Sequence, residues 1–264
     1  VTDPDRPEPE ESGESPPTGS SLRSAGREEL ARRLAEEGEG WSEGEVLDFL
    51  ANPFADEELV RSLMSRRSLV SAYRVRRALL LHPKTPQPEA LRLVPFLRWR
   101  DLAWAGNDPR LSPIVRRSCD RMVLERLLEM ALGEKIALAR VANRAVIGQL
   151  RFDPEPMVFA ALLVNPRLVE DDVVSLVTSG RAARSQLEAI ARDPRWSSRY
   201  AVRLALLRNP ASPVGAVVSL LGTLRRDDLL AVWRAPATGE LVRRAAKQLL
   251  EAKFEAQRGG KTMR

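Results

Sequence analysis

HPKTPQPEALRLVPFLRWRDLAWAGNDPRLSPIVRRSCDRMVLERL, residues 82–127, and NPASPVGAVVSLLGTLRRDDLLAVWRAPATGELVRRAAKQLLEAKF, residues 209–254, are two versions of one pattern. Laid over each other from their first residues, they align without a gap. Pro83 falls on Pro210, Pro86 on Pro213 and Pro109 on Pro236, while Asp101-Leu102 meets Asp228-Leu229 and Val115-Arg116-Arg117 meets Val242-Arg243-Arg244. Eleven of 46 positions are identical and the prolines stay in register, which a biased composition alone does not produce. A third copy opens at Asn165-Pro166, 44 residues before Asn209-Pro210, and shares Val173-Val174-Ser175-Leu176 with Val217-Val218-Ser219-Leu220. The offset from His82 to Asn209 is about three times 42, so the expected period is near 42 residues, in the range of stacked helical repeats.

The unit has a physical grammar. It opens with a small polar residue before proline, as in Asn52-Pro53, His82-Pro83, Asn165-Pro166 and Asn209-Pro210. The residue before proline is pushed out of the helical region, so the preceding helix stops there. Thr85-Pro86 and Ser212-Pro213 then restart the chain, with the hydroxyl expected as cap and proline at the first helical position. The first helix places Ala90, Leu93, Val94 and Leu97 on one face, and Val217, Leu220, Leu221 and Leu224 likewise. A short middle helix follows Asp101 or Asp228, each expected as its N-cap, and a third follows Ser112-Pro113 or Gly239-Glu240. One such unit cannot bury its own apolar surface, whereas stacked neighbours can. The expected fold is therefore all-α, an α-solenoid of about five units over residues 27–254.

Outward from the repeats, residues 1–26 are rich in Pro, Glu, Ser and Gly and nearly devoid of apolar side chains, which predicts an arm that stays unfolded. Residues 255–264 read as a polar basic tail. The net charge of +6 is divided unevenly: residues 1–40 hold 11 acidic and 5 basic side chains, net −6, leaving 25 acidic and 37 basic, net +12, for the rest. Arginine supplies 37 of the 42 basic residues. A basic body suits polyanions or acidic proteins, or it is an Arg-biased solvated surface. One cysteine, Cys119, allows no internal disulfide, which fits a reducing compartment. With no apolar run beyond the eight residues Met157–Val164 and no signal-peptide pattern, the expected location is cytoplasmic.

Asn209-Pro210-Ala211-Ser212-Pro213, followed by Ala216-Val217-Val218, together with Asp193-Pro194-Arg195-Trp196 to Tyr200-Ala201-Val202-Arg203, resembles bacterial HEAT-like proteins, with a kinship to variant leucine-rich repeats. The resemblance covers most of the chain. It implies stacked helices and a role in protein contacts, and it carries no particular activity.

The residues most suited to chemistry fall in structural slots. His82, the single histidine, stands where other units have Asn52, Asn165 and Asn209, and so reads as a turn residue. Cys119 aligns with Ala246 on an apolar helix face. One His and one Cys cannot make a Cys/His zinc site. Glu57-Glu58, Asp171-Asp172 and Asp227-Asp228 fall at helix starts, where carboxylates complement the helix dipole. No catalytic, cofactor or metal residue is assigned. The candidate partner-binding residues are Arg76, Arg77, Arg116, Arg117, Arg199, Arg203, Arg243 and Arg244, which in repeat order form a ladder. Their structural reading pairs one Arg per unit with Asp101 or Asp228, and their functional reading is a positive stripe for phosphates or acidic side chains. Trp99, Trp104, Trp196 and Trp233 read as plugs between repeats or as stacking platforms. The leading expectation is a non-enzymatic scaffold for a protein partner. Nucleic-acid binding through the Arg ladder is the alternative, and a HEAT-like DNA glycosylase the remote one.

Overall fold

The computed structural model describes residues 21–259, with side chains to Lys253. The described chain is all helical, with no strand. Seventeen α-helices follow one another: α1 Arg27–Glu36, α2 Glu43–Leu50, α3 Glu57–Ser65, α4 Tyr73–Leu81, α5 Gln87–Leu93, α6 Trp99–Asn107, α7 Pro113–Arg126, α8 Leu132–Val141, α9 Arg144–Leu150, α10 Pro156–Leu163, α11 Glu170–Thr178, α12 Arg184–Arg192, α13 Pro194–Ser197, α14 Tyr200–Arg208, α15 Val214–Leu221, α16 Arg226–Arg234 and α17 Glu240–Gly259. Two compact units emerge: one runs to Asp101 and includes Asp108–Ser118, the other holds Leu102–Asn107 and the chain from Cys119 onward. No described helix is long and apolar enough to cross a membrane.

In the first unit α2 packs on α4, α4 on α5 and α1 on α3. In the second, α10 packs on α8 and α12, α15 on α12 and α17, and α14 on α11 and α16. Beyond immediate neighbours, packing therefore joins helices two or three places apart along the chain. The helices α8, α10, α12, α15 and α17 begin at Leu132, Pro156, Arg184, Val214 and Glu240, and each step of that series is well short of 42. In the first unit α2 and α4 begin at Glu43 and Tyr73, and α3 and α5 at Glu57 and Gln87, a step of the same size. This two-helix step is shorter than the period near 42 expected from the sequence. The long repeat offset itself superposes one set of helix starts on another: Tyr73, Gln87, Trp99 and Pro113 of α4 to α7 fall on Tyr200, Val214, Arg226 and Glu240 of α14 to α17. The copy at Asn165-Pro166, 44 residues before Asn209-Pro210, spans a further turn of the same kind at Asp193-Pro194.

Turns with Asn, Asp or His before proline follow seven of the helices: α2, α4, α6, α9, α10, α12 and α14. Asn52, Asp108, Asp153, Asn165, Asp193 and Asn209 each accept, through Oδ1, the backbone N–H two residues on, at 2.8 to 3.0 Å. His82 does the same through Nδ1, at 3.3 Å from the Lys84 nitrogen. Such a bond holds the chain in the extended geometry that proline already favours. Asparagine adds what aspartate lacks, an N–H₂ donor. Asn52 Nδ2 donates to the carbonyls of Leu22 and Ala25, both at 2.8 Å. Asn165 Nδ2 donates to those of Ala139 and Ala142, at 2.7 and 3.0 Å. Asn209 Nδ2 donates to the Val177 carbonyl. Each asparagine ties its turn to an earlier segment whose carbonyls would otherwise be left without partners. Two of the three aspartates turn to cations instead: Asp108 to Arg110 at 2.7 Å and Asp153 to Lys135 at 3.2 Å.

Several local expectations are corrected. Thr85 and Ser212 do not cap helices. Thr85 Oγ1 donates to the Leu79 carbonyl, Ser212 Oγ is buried without a partner, and the N-cap positions of α5 and α15 are Pro86 and Pro213. Ser112 Oγ does accept from Val115 N, at 3.3 Å. Asp101 and Asp228 lie inside the first turns of α6 and α16 and do not precede them. Ser21–Gly26, assigned to the acidic arm by composition, buries Leu22 and Ala25 against the helices, while residues 1–20 lie outside the described part. The backbone of α17 continues to Gly259, into the stretch expected to be tail.

Candidate interaction surface

Four helices carry Val-Arg at their third and fourth positions: Val75-Arg76 in α4, Val115-Arg116 in α7, Val202-Arg203 in α14 and Val242-Arg243 in α17. All four valines are buried, and all four arginines are half-buried. Successive helix positions are about 100° apart, so the arginine sits at the edge of the stripe that the valine leads. Nε of Arg116, Arg203 and Arg243 is shut off from solvent with no hydrogen-bond partner, and Nε of Arg76 donates to the Val70 carbonyl at 2.9 Å. The stems of these side chains thus serve packing. Arg76 also lies over the Phe96 ring at 4.9 Å and Arg203 over the Tyr200 ring at 5.5 Å.

The second arginine of each pair is exposed. Arg77 Nε pairs with Asp101 Oδ1 at 2.5 Å, and Arg244 pairs with Glu240 four residues before it. Arg117 forms no ion pair with any described residue. Arg199 pairs with Glu170 at 2.9 Å and lies over the Trp196 ring at 5.2 Å. Asp228, matched to Asp101 by the repeat, meets Arg208 at 3.8 Å, so its cation comes from outside the eight candidates.

One clamp went unread in the sequence. The Tyr73 hydroxyl, at the first position of α4, donates to Asp101 and accepts from Arg98 N at 3.1 Å. The Tyr200 hydroxyl, at the first position of α14, donates to Asp228 and accepts from Arg225 N at 3.2 Å. The guanidinium of Arg98 covers the Tyr73 ring at 4.8 Å, and that of Arg225 covers the Tyr200 ring at 5.2 Å. These are the chain's two tyrosines, and the offset that relates His82 to Asn209 also relates them. Extending the repeat alignment upstream of His82 as far as Tyr73 would have found them. Burial, then the hydrogen bond to Asp101, raises the Tyr73 pKa above its usual value.

The residues weighed for chemistry are packed or bonded into the frame. Cys119 is fully buried, and burial followed by the charge of Asp120 pushes its thiol up to about 12. Burial, then the nearby Lys84 charge, lowers the His82 pKa. The carboxyl of Asp108 is held below the usual range, first by its hydrogen bond from Arg110. Glu57 and Glu58 pair with Arg61 and Arg27, and Asp172 with Arg144. No group of three or more His, Cys, Asp or Glu residues among those described is arranged to hold a metal ion.

The tryptophans divide. Trp196 is completely buried and donates from Nε1 to the Leu163 carbonyl, so it is a plug. Trp104 is 61% exposed and Trp233 is at the surface, so neither is a plug. Beside the exposed arginines stand further apolar side chains. Ile114, at position two of α7, is 45% exposed, and Leu241, at position two of α17, is 60% exposed. Each lies three residues before an exposed arginine, Arg117 or Arg244, hence on the same helix face. The pattern apolar–buried Val–inward Arg–outward Arg thus occurs once in each unit. Comparison with protein-family models, with curated proteins and with solved structures gives no match.

Proposed function

We propose that this chain is a non-enzymatic scaffold, an α-solenoid of HEAT-like repeats, that binds a protein partner presenting apolar and acidic side chains. The observation carrying this reading is the recurrence, at Ile114–Arg117 and Leu241–Arg244, of an exposed aliphatic residue beside an exposed guanidinium on a helix pinned by a buried valine. Large aliphatic side chains left in water at matched positions favour a partner that removes them from water, at about 25 cal/mol per Å² of apolar surface covered. The adjacent arginine adds direction, because a guanidinium recognises carboxylates through paired hydrogen bonds. Nucleic-acid binding is the second reading. It is favoured by the cationic excess and by Arg117, which forms no ion pair with a described residue, but exposed aliphatic groups contribute little to phosphate recognition.

A photo-crosslinking residue placed singly at Ile114 or Leu241, in the chain's own host cells, tests the reading. A discrete protein adduct is expected that survives nuclease and weakens when Arg117 or Arg244 is changed to Glu. An adduct to nucleic acid, or no adduct at either position, overturns it.

A further inference from the structure

We infer that the acidic segment of residues 1–20 is the occupant of a groove in the first unit, between the C-terminal ends of α2 and α4. The inference goes beyond the proposed scaffold role and requires no outside partner. The groove encloses about 410 Å³. Leu47, Leu50, Ala78 and Leu81 make its apolar part, and Lys84 and Arg110 supply its cations. None of its lining residues is acidic. Lys84 is exposed and forms no ion pair with any described residue, whereas Arg110 is held by Asp108 at 2.7 Å.

Three observations select the occupant. The first is position. Asn52 lines the groove, and its Nδ2 holds the carbonyls of Leu22 and Ala25. The chain therefore leaves Ser21 toward its N-terminal side next to the groove wall. The second is charge. Residues 1–20 carry Asp3, Asp5, Glu8, Glu10, Glu11 and Glu14 against Arg6 alone, net −5. The third is reach. A chain spans at most about 3.3–3.6 Å per residue, so the stretch from Ser21 back to Glu14 or Glu10 gives roughly 23–40 Å of tether. A short tether presents its end at an effective concentration of order mM, so even a weak site is occupied.

Polarity decides how the segment sits. The carbonyl ends of two helices face this region and disfavour carboxylates deep in the groove. The exposed Lys84 and Arg110 are accordingly the groups that the segment's carboxylates would meet, beside the aliphatic part of the groove. The second unit contains an internal control. Val177, Thr178, Gly180, Ala205, Asn209 and Pro210 line a groove of about 270 Å³, and the repeat matches them in turn to Leu50, Ala51, Pro53, Ala78, His82 and Pro83. There Ala211 replaces Lys84, and Arg208 replaces Leu81 and lies toward Asp228. The shape recurs, and the lysine without an ion pair among the described residues does not.

The test uses the full chain with Ser12→Cys carrying a nitroxide. The buried Cys119 stays unlabelled under native conditions. At low salt the amide signals of residues 50–55 and 81–84 are expected to be lost, while those of 177–180 and 208–211 persist. Lys84→Glu should restore the lost signals without disturbing the remainder of the spectrum. Adding Glu10→Lys and Glu11→Lys to that variant should abolish them again. Equal broadening at both grooves, broadening that survives Lys84→Glu, or no broadening at low salt overturns the inference. A signal pattern that collapses throughout in Lys84→Glu would mark a folding defect, and Lys84→Gln then decides by the same criterion.

Discussion

Asn165 is the side chain on which the turn argument can be tested most sharply. It is fully buried and makes three hydrogen bonds: Nδ2 to the carbonyls of Ala139 and Ala142, and Oδ1 from Arg167 N. Ala139 and Ala142 are themselves buried, so water cannot replace the lost donor. A typical hydrogen bond contributes about 1 kcal/mol net, and a stranded buried acceptor costs about 1–3 kcal/mol. Asn165→Ala should therefore destabilise the second unit by about 3–4 kcal/mol on these figures. Asn209 is half-buried and reaches one carbonyl, so Asn209→Ala should cost about 1–2 kcal/mol on the same reasoning. Asn165→Asp keeps the Oδ1 acceptor but turns a second oxygen on two carbonyls. Its cost should exceed that of Ala at neutral pH. It should shrink as pH falls, because the protonated acid regains a donor; the folded pKa of the new group is raised, so folding binds a proton and gains from low pH. Urea midpoints, with amide exchange across α8 and α10 to localise the opening, read all three variants. A smaller effect for Asn165→Ala than for Asn209→Ala, or a pH-independent Asn165→Asp penalty, would refute the account of the asparagine turns.

Three further outcomes follow from the same geometry. Tyr73→Phe and Tyr200→Phe each remove one hydroxyl that serves a carboxylate and a backbone N–H, and each should cost about 1.5–3 kcal/mol by chemical denaturation, with the two effects matching within error. The lowered pKa of His82 means that the unfolded chain binds its proton first as pH falls below about 6.5, so stability should drop from there downward; His82→Asn should remove that part of the pH dependence in thermal melts. A Cβ on Gly106 would crowd Asp120 Oδ1, in the place where Asn143 Nδ2 bonds that carboxylate at 2.7 Å, so Gly106→Ala should cost about 1–3 kcal/mol and show as faster amide exchange at the start of α9.

The class of fold was legible because proline and hydrophobic spacing are local signals. Ala90, Leu93, Val94 and Leu97, with Val217, Leu221 and Leu224, are buried as their spacing implies, and Leu220 is half-buried. What each polar residue does was less legible, since its partner is distant in sequence. Asp101 looks like an N-cap when only its neighbours are considered, yet its acceptor oxygens go to Tyr73, 28 residues before it, and to Arg77. Ser212 and Ser112 stand in the same kind of Ser-Pro step, but only Ser112 finds a backbone N–H to accept. The repeat length suffered in the same way. Asp193-Pro194 makes the same turn bond as Asn165-Pro166 and Asn209-Pro210, so the interval between the two asparagines contains a further turn of the same kind. The grooves were invisible in sequence because their walls come from two helix ends brought together only by packing.

The arginine pairs show why a count of charges says little about a binding surface. Of the eight candidates, Arg76, Arg116, Arg203 and Arg243 are half-buried, and Arg77, Arg199 and Arg244 are paired with carboxylates. Exposed pairs of this kind contribute only about 0–1 kcal/mol, so a partner bearing carboxylates can displace them at small cost. Half-burial is different: an arginine whose Nε is shut off from solvent has its stem engaged in packing. Arg117 and Arg244, each next to an exposed aliphatic residue, are the positions where charge and apolar surface coincide. Changing Arg116 or Arg243 should therefore register as lost stability, while changing Arg117 or Arg244 should leave stability nearly unaltered and register only in binding.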